Sequence, residues 1–191
     1  MKATAPEITV EKAERFTEAD LADLCDAAES AILEGGGFGW LSPPPRQVLE
    51  RYWAGVLLVP ERELFLGRED GVIAGSAQLV KPPRNNEAQR FAASMTTNFV
   101  APWARGHGLA RALALAVEDA AREQGFAVLG LDVRETQTAA IRLYESLGYV
   151  RWGTNPTYAI AGGRLIAGHY YSKRLGPLPA AAGSDDGPAR P

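Results

Sequence analysis

Gly106 and Gly108 stand where the sequence changes from a strand pattern to a helix pattern, and this pairing predicts an anion site. The helix pattern begins at Leu109. A glycine backbone can approach an anion closely, and the first N–H groups of a helix have no partner inside the helix. The helix dipole adds a field that favours negative charge there. The sequence therefore predicts a phosphate seat at this point, to which Arg105 and Arg111 add cationic reach.

This segment has one alternative interpretation without a phosphate and two as other phosphate-binding motifs. A Gly-x-Gly pair also occurs where a tight turn merely joins a strand to a helix. A nucleoside-triphosphate P-loop is excluded, because it requires a Gly-Lys-Ser/Thr tripeptide that the sequence lacks. A dinucleotide fingerprint requires a third small residue where Arg111 stands, and Pro102 interrupts the approach from the strand. Since Asp132 lies near the usual distance for a ribose-binding acid, the dinucleotide alternative stays open.

Two segments together resemble the GCN5-related N-acetyltransferase (GNAT) family. Residues 105–110 read Arg-Gly-His-Gly-Leu-Ala, which matches the family's motif A pattern Arg/Gln-x-x-Gly-x-Gly/Ala, and the preceding Val-Ala-Pro at 100–102 matches as well. Residues 140–149 match a second family segment, an apolar helix followed by Leu-Tyr-x-x-Leu-Gly-Phe/Tyr. The stretch 94–174 also resembles the tabtoxin-resistance branch, whereas residues 1–90 match only by the order of their elements.

The resemblance implies that acetyl-coenzyme A is the donor co-substrate. Its pantetheine arm would pair like an extra strand with the backbone around Phe99 and Val100, and its pyrophosphate would meet backbone amides between Arg105 and Arg111. The family commonly has asparagine where this chain has Gln137, so that contact to pantetheine is an open point. The cofactor-binding residues implied in this way are Phe99, Val100, Arg105, Gly106, His107, Gly108, Leu109, Ala110, Arg111 and Gln137.

Tyr144 is the predicted general acid. By resemblance, the family's acid is the tyrosine of the Leu-Tyr pair in the second segment, which is Tyr144 here. Acetyl transfer to an amine releases a thiolate, and a phenol with a pKa of about 10 can protonate a thiolate of similar basicity. The alternative is packing, because Ala140, Ile141, Tyr144 and Leu147 form one apolar helical stripe. The position within the motif favours catalysis.

The general base is marked less clearly than the acid. Relatives often carry a glutamate on the strand before motif A, but residues 94–99 contain no carboxylate. Water relayed by the polar side chains of that stretch is one alternative. Asp132 ends an apolar strand, and in the tabtoxin-resistance branch this position faces the cleft, which makes Asp132 the leading candidate for the base or for an amine anchor. An equally weighted alternative is a strand-end aspartate that caps residues 134–136.

Composition argues against several other function classes. The 20 Lys and Arg against 23 Asp and Glu give a net charge of −3, so there is no basic field for nucleic acid or an anionic membrane. One cysteine, Cys25, excludes an internal disulfide and is expected to be core packing, and two histidines provide no zinc-type spacing, so no metal is expected. Residues 1–13 lack a signal-peptide pattern, and no apolar run is long enough for a membrane span. A cytoplasmic protein is therefore expected.

The elements that must position these residues follow a mixed α/β order. We expect one domain over residues 1–175, with a mostly antiparallel mixed sheet, splayed central strands and flanking helices, and a flexible Pro/Ala/Gly tail over 176–191. The predicted order is a strand over 8–16, a helix from a Thr17 cap to the glycines at 35–37, a loop over 38–45, a helix around 48–53, a hairpin of 64–68 and 72–80, a strand over 91–100, a helix over 109–123, a strand over 126–132, a helix over 138–147, and strands near 149 and over 169–173.

The resemblance therefore predicts an N-acetyltransferase that moves an acetyl group from acetyl-coenzyme A to a small-molecule amine by direct attack in a ternary complex. A non-catalytic acyl-coenzyme A sensor and a protein N-acetyltransferase are the alternatives. A homodimer is compatible with the family. His107 is expected to contribute its backbone N–H rather than its ring. Four aromatic residues are candidates for the wall of the acceptor pocket, or alternatively packing anchors: Trp40, Trp53, Trp152 and Tyr158.

Overall fold

The computed structural model describes residues 5–36 and 38–179. Two short 3-10 turns, Glu87–Gln89 and Pro102–Ala104, flank the fourth strand. The strands are β1 (Ile8–Ala13), β2 (Arg62–Glu69), β3 (Val72–Val80), β4 (Ala92–Val100), β5 (Val128–Arg134), β6 (Val150–Ala161) and β7 (Arg164–Arg174). The helices are α1 (Glu18–Leu33), α2 (Arg46–Val56), α3 (Leu109–Glu123) and α4 (Thr138–Ser146).

The strands form one sheet in the order β1-β2-β3-β4-β5-β7-β6. Every neighbouring pair is antiparallel except β4 and β5, which run parallel. The predicted mixed and mostly antiparallel sheet is confirmed. A dinucleotide-binding fold requires a doubly wound parallel sheet, so this topology removes the dinucleotide alternative.

The two central strands, β4 and β5, separate after a short parallel contact. They pair only from Ala92 opposite Val128 to Ser94 opposite Gly130. Beyond Ser94, β4 keeps its partner β3 but carries a bulge, where Thr97 adopts a left-handed φ of 53° that is unusual for a β-branched residue. The predicted splay of the central strands is therefore present, and the gap opens toward the carboxyl ends of both strands.

The turns and helix caps that short sequence motifs predict are present in the structure. Thr17 caps α1 in a capping box with Asp20: each side chain accepts a hydrogen bond from the backbone N–H of the other. Asp70 and Gly71 join β2 to β3 with φ values of 49° and 85°, as a two-residue hairpin turn requires. Pro45 immediately precedes α2. These elements depend on neighbouring residues only, which is why the sequence alone predicts them.

Helices cover both faces of the sheet and enclose two apolar clusters. Leu109, Leu113 and Val117 of α3 pack on one face together with α4 residues, while α1 and α2 pack on the other face around the fully buried Trp53. A Cβ added at Gly67 in β2 would lie 2.6 Å from a Leu109 methyl carbon. Glycine at this position therefore lets the first turn of α3 pack closely against β2.

The predicted strands near residue 149 and over 169–173 are wrong in extent. They form one long hairpin in which β6 has 12 residues and β7 has 11. β6 lies at the sheet edge, few of its side chains are buried, and its register is irregular between Asn155 and Ala159, around Pro156. An edge strand with a proline and a bulge lacks the alternating apolar pattern on which strand prediction depends. The first strand also ends earlier than predicted, at Ala13 rather than Phe16.

Some sequence predictions fall partly outside the described residues. Residues 1–4, Gly37 and residues 180–191 lie there, so only residues 176–179 of the predicted tail are described, and they form no helix or strand. The single domain predicted over 1–175 stays a prediction, although one sheet receives strands from Ile8 to Arg174. No helix within the described ranges is long and apolar enough to cross a membrane.

Candidate active site

The first turn of α3 is built around the two glycines of the predicted phosphate seat. Gly106 and Gly108 have φ values of 88° and 92°, in the left-handed region that glycine adopts without strain. A Cβ at either position would meet nothing within 4 Å. The glycines are therefore required for the backbone conformation and not for lack of space. Gly108 is the N-cap of α3, and no side chain caps that helix start.

The backbone amides of residues 106–111 have no acceptor among the described residues. The first hydrogen bond of α3 comes from Ala112, whose N–H donates to the Gly108 carbonyl at 3.0 Å. Leu109 is buried and Ala110 half-buried, whereas Gly106, His107, Gly108 and Arg111 are exposed, so this run of free amides at a helix start is open to an external acceptor. Together with the helix dipole, this run favours an anion. A plain turn between a strand and a helix also leaves the first amides of the helix free, so the phosphate seat stays a prediction.

A cavity of about 440 Å³, the α3 groove, runs from the end of β4 along this helix start. His107 is the one residue of the predicted cofactor set that does not line it. The predicted residues that do line it are Phe99, Val100, Arg105, Gly106, Gly108, Leu109, Ala110, Arg111 and Gln137.

The two arginines of the segment are both held by protein groups. Arg105 donates through Nε to the Val100 carbonyl at 3.3 Å, and its guanidinium lies 3.6 Å from the Glu34 carboxylate. Arg111 donates to the Ser146 hydroxyl at 2.8 Å. Both positive charges therefore lie beside the groove. The sequence analysis did not foresee these protein partners, with which a phosphate would have to compete for the two guanidinium groups. The hydrogen-bond donors of this segment that have no partner among the described residues are the backbone amides of residues 106–111.

Two other polar residues near the groove are also anchored. The His107 ring lies 2.9 Å from the Glu69 carboxylate, and His107 does not line the groove. The expected contribution of its backbone N–H stays a prediction. Gln137 donates to the carbonyl of Gly35 at 3.1 Å, so its side chain bridges the loop before α4 and the end of α1. This contact spans 102 residues of sequence and was not predicted.

A second cavity of about 570 Å³, the β5 cavity, opens on the other side of the same gap. It is lined by the bulged part of β4, the end of β5, the loop after α1 and the far end of β6. Asp132, Arg134 and Tyr158 supply its ionisable side chains besides Tyr144. The residues that line both cavities are Gly36, Asn98, Gln137, Ala140 and Tyr144.

Tyr144 projects from α4 to the junction of the two cavities. Only 6% of its surface is exposed, and its ring packs edge-on against Tyr149 with 5.8 Å between centroids. Burial raises the pKa of Tyr144 to about 12; the Asn98 side chain opposes this rise, and the charge of Asp132 adds to it. The phenol therefore keeps its proton throughout the neutral pH range, as a proton donor must.

Asp132 accepts a hydrogen bond from Tyr158 across an intervening strand. β7 lies between β5 and β6, and the Tyr158 hydroxyl donates to Oδ2 of Asp132 over the top of it. A Cβ at Gly168 of β7 would overlap the Tyr158 ring, so only glycine leaves room for this crossing. Burial and the bond to Asp132 raise the pKa of Tyr158, which keeps the phenol protonated as the donor.

The predicted capping role of Asp132 is not observed. Among the described residues, its one side-chain hydrogen bond comes from Tyr158, and the Glu135 amide donates instead to the carbonyl of Ala167. Asp132 lines the β5 cavity, as a base or amine anchor should. The alternative of a strand-end cap over residues 134–136 is therefore wrong.

Sequence reasoning missed several residues of the β5 cavity. Arg134 follows Asp132 by two positions in a strand, so the two-residue period would have placed it on the same face. Of the four aromatic candidates, Tyr158 lines the cavity, whereas Trp53 is fully buried and Trp152 is 68% exposed. The larger apolar lining residues that the sequence analysis did not single out are Phe38, Leu41, Met95, Val133 and Ile160.

A known protein family matches the part of the chain that forms this site. A sequence profile of the acetyltransferase (GNAT) family matches residues 24–149, which is more than half of the chain. The chain belongs to this family. The match begins within α1 and ends after α4, so it includes the α3 groove and Tyr144.

Two relatives illustrate the range of similarity within the GNAT family. An uncharacterized N-acetyltransferase of Azospirillum brasilense, from the hisH-hisA intergenic region, is 67% identical over 131 residues, covering 69% of this chain and 78% of that protein. A mycothiol acetyltransferase of Renibacterium salmoninarum is 27% identical over 142 residues, covering 74% of this chain but only 34% of that protein. The predicted likeness to the tabtoxin-resistance branch stays a prediction.

Solved GNAT-type structures share the fold. The structure of yncA from Salmonella typhimurium with its cofactor acetyl-CoA has a TM-score of 0.72 and 22% identity, covering 93% of this chain and 98% of that one. A ribosomal-protein-alanine N-acetyltransferase from Brucella melitensis has a TM-score of 0.71 and 24% identity, covering 87% and 99%. These similarities establish the fold of the GNAT domain.

Cys25 is not part of this GNAT site. It is fully buried in α1, and burial raises the pKa of its thiol to about 11. Because the thiolate is the nucleophilic form, a thiol with this pKa is inert at neutral pH. The prediction that Cys25 is core packing is consistent with this position.

Proposed function

We propose that the protein transfers an acetyl group from acetyl-coenzyme A to the amine of a small molecule in a ternary complex. The observation that carries this proposal is the meeting of two cavities at one buried phenol, Tyr144. One cavity has an anion seat at its end, and the other carries a carboxylate. Such an arrangement lets donor and acceptor enter separately and react at their junction.

The α3 groove suits the donor. The free amides of residues 106–111 match a pyrophosphate, which accepts several hydrogen bonds at once. The edge of β4 that faces β5 has no strand partner after Ser94, so the backbone around Phe99 and Val100 can pair with the amides of a pantetheine arm. The acetyl-CoA bound in the related structure of yncA supports this choice of donor.

The β5 cavity suits the acceptor. Attack requires a neutral amine, and Asp132 can accept the proton that the amine nitrogen loses. The Asn98 side-chain oxygen is buried and, among the described residues, has no hydrogen-bond partner. Because Asn98 lines both cavities, this oxygen is a candidate acceptor for an amine N–H at the junction. A small-molecule acceptor is what the predicted likeness of residues 94–174 to the tabtoxin-resistance branch would imply, and that likeness is itself still a prediction.

The reaction then balances within one complex. The amine nitrogen attacks the thioester carbonyl carbon, the carbon–sulfur bond breaks, and the amine proton passes to Asp132. The Tyr144 phenol donates a hydrogen bond to the departing thiolate. Its pKa of about 12 exceeds that of an ordinary thiol, about 8.5, so hydrogen bonding to the thiolate contributes more than complete proton transfer does. Asp132 then releases the amine proton to solvent, and the thiolate takes up a proton from solvent, so that coenzyme A leaves as the thiol and both side chains return to their starting state. Neither a metal nor an acyl-enzyme is required, and a cytoplasmic location is part of the proposal.

The test compares two neighbouring tyrosines. Tyr144→Phe removes the hydroxyl at the junction, whereas Tyr149→Phe removes a hydroxyl from a ring that packs against it and lines neither cavity. We expect Tyr144→Phe to lower kcat by about a hundredfold or more, with an unchanged Kd for acetyl-coenzyme A, because general acids contribute about 10²- to 10⁴-fold. Tyr149→Phe should keep kcat within about threefold. Thiol release with a panel of small amines measures kcat, and calorimetry measures Kd.

Three outcomes contradict the proposal. If both variants keep the rate of the unsubstituted protein, Tyr144 is a packing residue only. If acetyl-coenzyme A binds but no amine in the panel releases thiol, a sensor that binds without transfer replaces the enzyme. Preferential turnover of peptides with a free N-terminus would replace the small molecule by a protein acceptor.

A further inference from the structure

Asp132 and Arg134 form a pair of opposite charges on one face of β5. They are two positions apart in a strand, so their Cα atoms lie about 7 Å apart and their side chains point to the same side. Both side chains line the β5 cavity. Within the described ranges the two charges form no ion pair with each other, and the Tyr158 hydroxyl donates to Oδ2 of Asp132.

The guanidinium of Arg134 is unpaired among the described residues. No carboxylate lies within ion-pair distance of it, and its side chain makes no hydrogen bond there. Some arginines of the sheet and helices pair with carboxylates, as Arg68 does with Asp20 at 2.7 Å and Arg122 with Glu118 at 2.8 Å, whereas others form no ion pair within the described ranges. Arg134 differs from the exposed unpaired arginines Arg142, Arg151, Arg164 and Arg174 because it is half-buried and lines a cavity. At such a position, a carboxylate that accepts two parallel N–H bonds stabilises a guanidinium more than water does.

The remaining oxygen of Asp132, Oδ1, also lacks a protein partner in the described residues. Tyr158, which crosses β7 above Gly168, holds Oδ2 of this carboxylate, and Asp132 lines the cavity. Apolar side chains complete the wall at Phe38 and Ile160. The cavity therefore presents one negative group, one free positive group and an apolar surface.

We infer that the acceptor carries a carboxylate next to its reacting amine, as an amino acid does, and that Arg134 is the residue that selects it. This inference rests on the proposed function, since the β5 cavity is taken as the acceptor site. Asp132 receives the amine and Arg134 binds the carboxylate through two parallel N–H donors. The apolar wall contacts the rest of the acceptor. A cavity with both charges excludes simple amines, which would leave the guanidinium without a partner.

The experiment uses matched acceptor pairs with the full-length protein. Each standard L-amino acid is compared with its amide, which keeps the amine and the side chain but removes the carboxylate charge. We expect kcat/KM for the preferred acid to exceed that for its amide by at least about tenfold, since a charge-assisted hydrogen bond contributes about 1.5–3 kcal/mol. Thiol release from acetyl-coenzyme A gives the rates.

Variants of Arg134 separate selection from folding. Arg134→Gln should raise KM for the acids by about tenfold or more, leave KM for the amides within about threefold, and leave kcat nearly unchanged. Arg134→Lys should recover part of the preference, because the charge remains while the bidentate geometry is lost. The control is Arg142→Gln on the exposed face of α4, outside both cavities, which should change neither series.

Binding is measured separately, so that loss of turnover does not hide the result. Thermal shift in the presence of coenzyme A should show stabilisation by the acids in the unsubstituted protein and not in Arg134→Gln. A thermal shift caused by the acids, without any thiol release, would contradict the proposed function but support the carboxylate site. Equal KM values for acids and amides, an equal effect of Arg134→Gln on both, or absence of any acid-dependent shift would overturn the inference.

Discussion

The α3 groove and the β5 cavity meet at Tyr144 but are built from different parts of the chain. The groove presents backbone amides from one continuous segment, residues 106–111. The cavity presents side chains from the loop after α1, from β4, β5 and α4, and from the end of β6. A main-chain site depends on φ and ψ, so it requires glycines and little else. A side-chain site depends on which residues separate strands bring together, so it can change its ligand without a change of fold.

The substitution expected to distinguish the two sites most strongly is Gly108→Asp. It places a negative charge beside the free amides and a side chain at a φ of 92°. We expect the Kd for acetyl-coenzyme A to rise by about a hundredfold or more, because anion repulsion replaces attraction at the helix start. Calorimetry with acetyl-coenzyme A measures the change.

The control at this position is Gly108→Ala, which adds only backbone strain of about 1 kcal/mol, because no atom lies within 4 Å of the new Cβ. Its Kd should rise by no more than about tenfold. An affinity that Gly108→Asp leaves unchanged would mean that the pyrophosphate binds elsewhere.

A second substitution, Gly168→Ala, should affect the β5 cavity alone. The new methyl group overlaps the Tyr158 ring and moves its hydroxyl away from Asp132. We expect KM for the acceptor to rise by about tenfold, while the Kd for acetyl-coenzyme A stays within about twofold, since the groove shares no contact with Gly168. Steady-state kinetics with varied acceptor and calorimetry with the donor separate the two quantities.

The matched change in the neighbouring strand is Gly153→Ala. A Cβ there meets nothing within 4 Å, and Gly153 lines neither cavity, so both constants should stay unchanged. Equal losses in the two glycine variants would show that the hairpin tolerates no added methyl group, and the Tyr158 crossing would then not account for the effect.

Asp20 belongs to the capping box of α1. Of the substitutions considered, Asp20→Asn is expected to have the smallest effect on ligand binding at either site. The hydrogen bond from Arg68 is the largest cause that lowers the pKa of Asp20 to about 2. Because the folded-state pKa lies below the unfolded value, this carboxylate stabilises the fold above about pH 4 and loses that contribution as the pH falls toward 2. We expect Asp20→Asn to lower the free energy of unfolding at pH 7 by about 1–2 kcal/mol.

Denaturant unfolding of both proteins between pH 7 and pH 3 tests this expectation. The difference in unfolding free energy should shrink steadily as the pH falls below about 4. Kd for acetyl-coenzyme A and KM for the acceptor should match those of the unsubstituted protein at neutral pH. A stability difference that does not depend on pH would assign the effect to the cap geometry and not to the charge of Asp20.

Prediction from sequence succeeds where the structure depends on neighbouring residues. The capping box at Thr17, the Asp70-Gly71 turn and the helix start after Gly108 all follow from short-range rules, and all three are present. The extent of the β6–β7 hairpin was missed, because a bulged edge strand with Pro156 buries few side chains and leaves no periodic pattern. Arg134 was missed although its spacing from Asp132 would have placed it on the same face.

The sequence by itself determined the backbone of the phosphate seat, because the φ values of Gly106 and Gly108 depend on glycine and on little beyond the next few residues. Only the tertiary structure decided that Tyr158 reaches Asp132 across 26 residues of chain, and that Gln137 reaches Gly35 across 102. Contacts of this kind depend on strand order and register, which arise from the packing of the whole sheet. The arrangement of the β5 cavity could therefore be described only once the order and register of the strands were known.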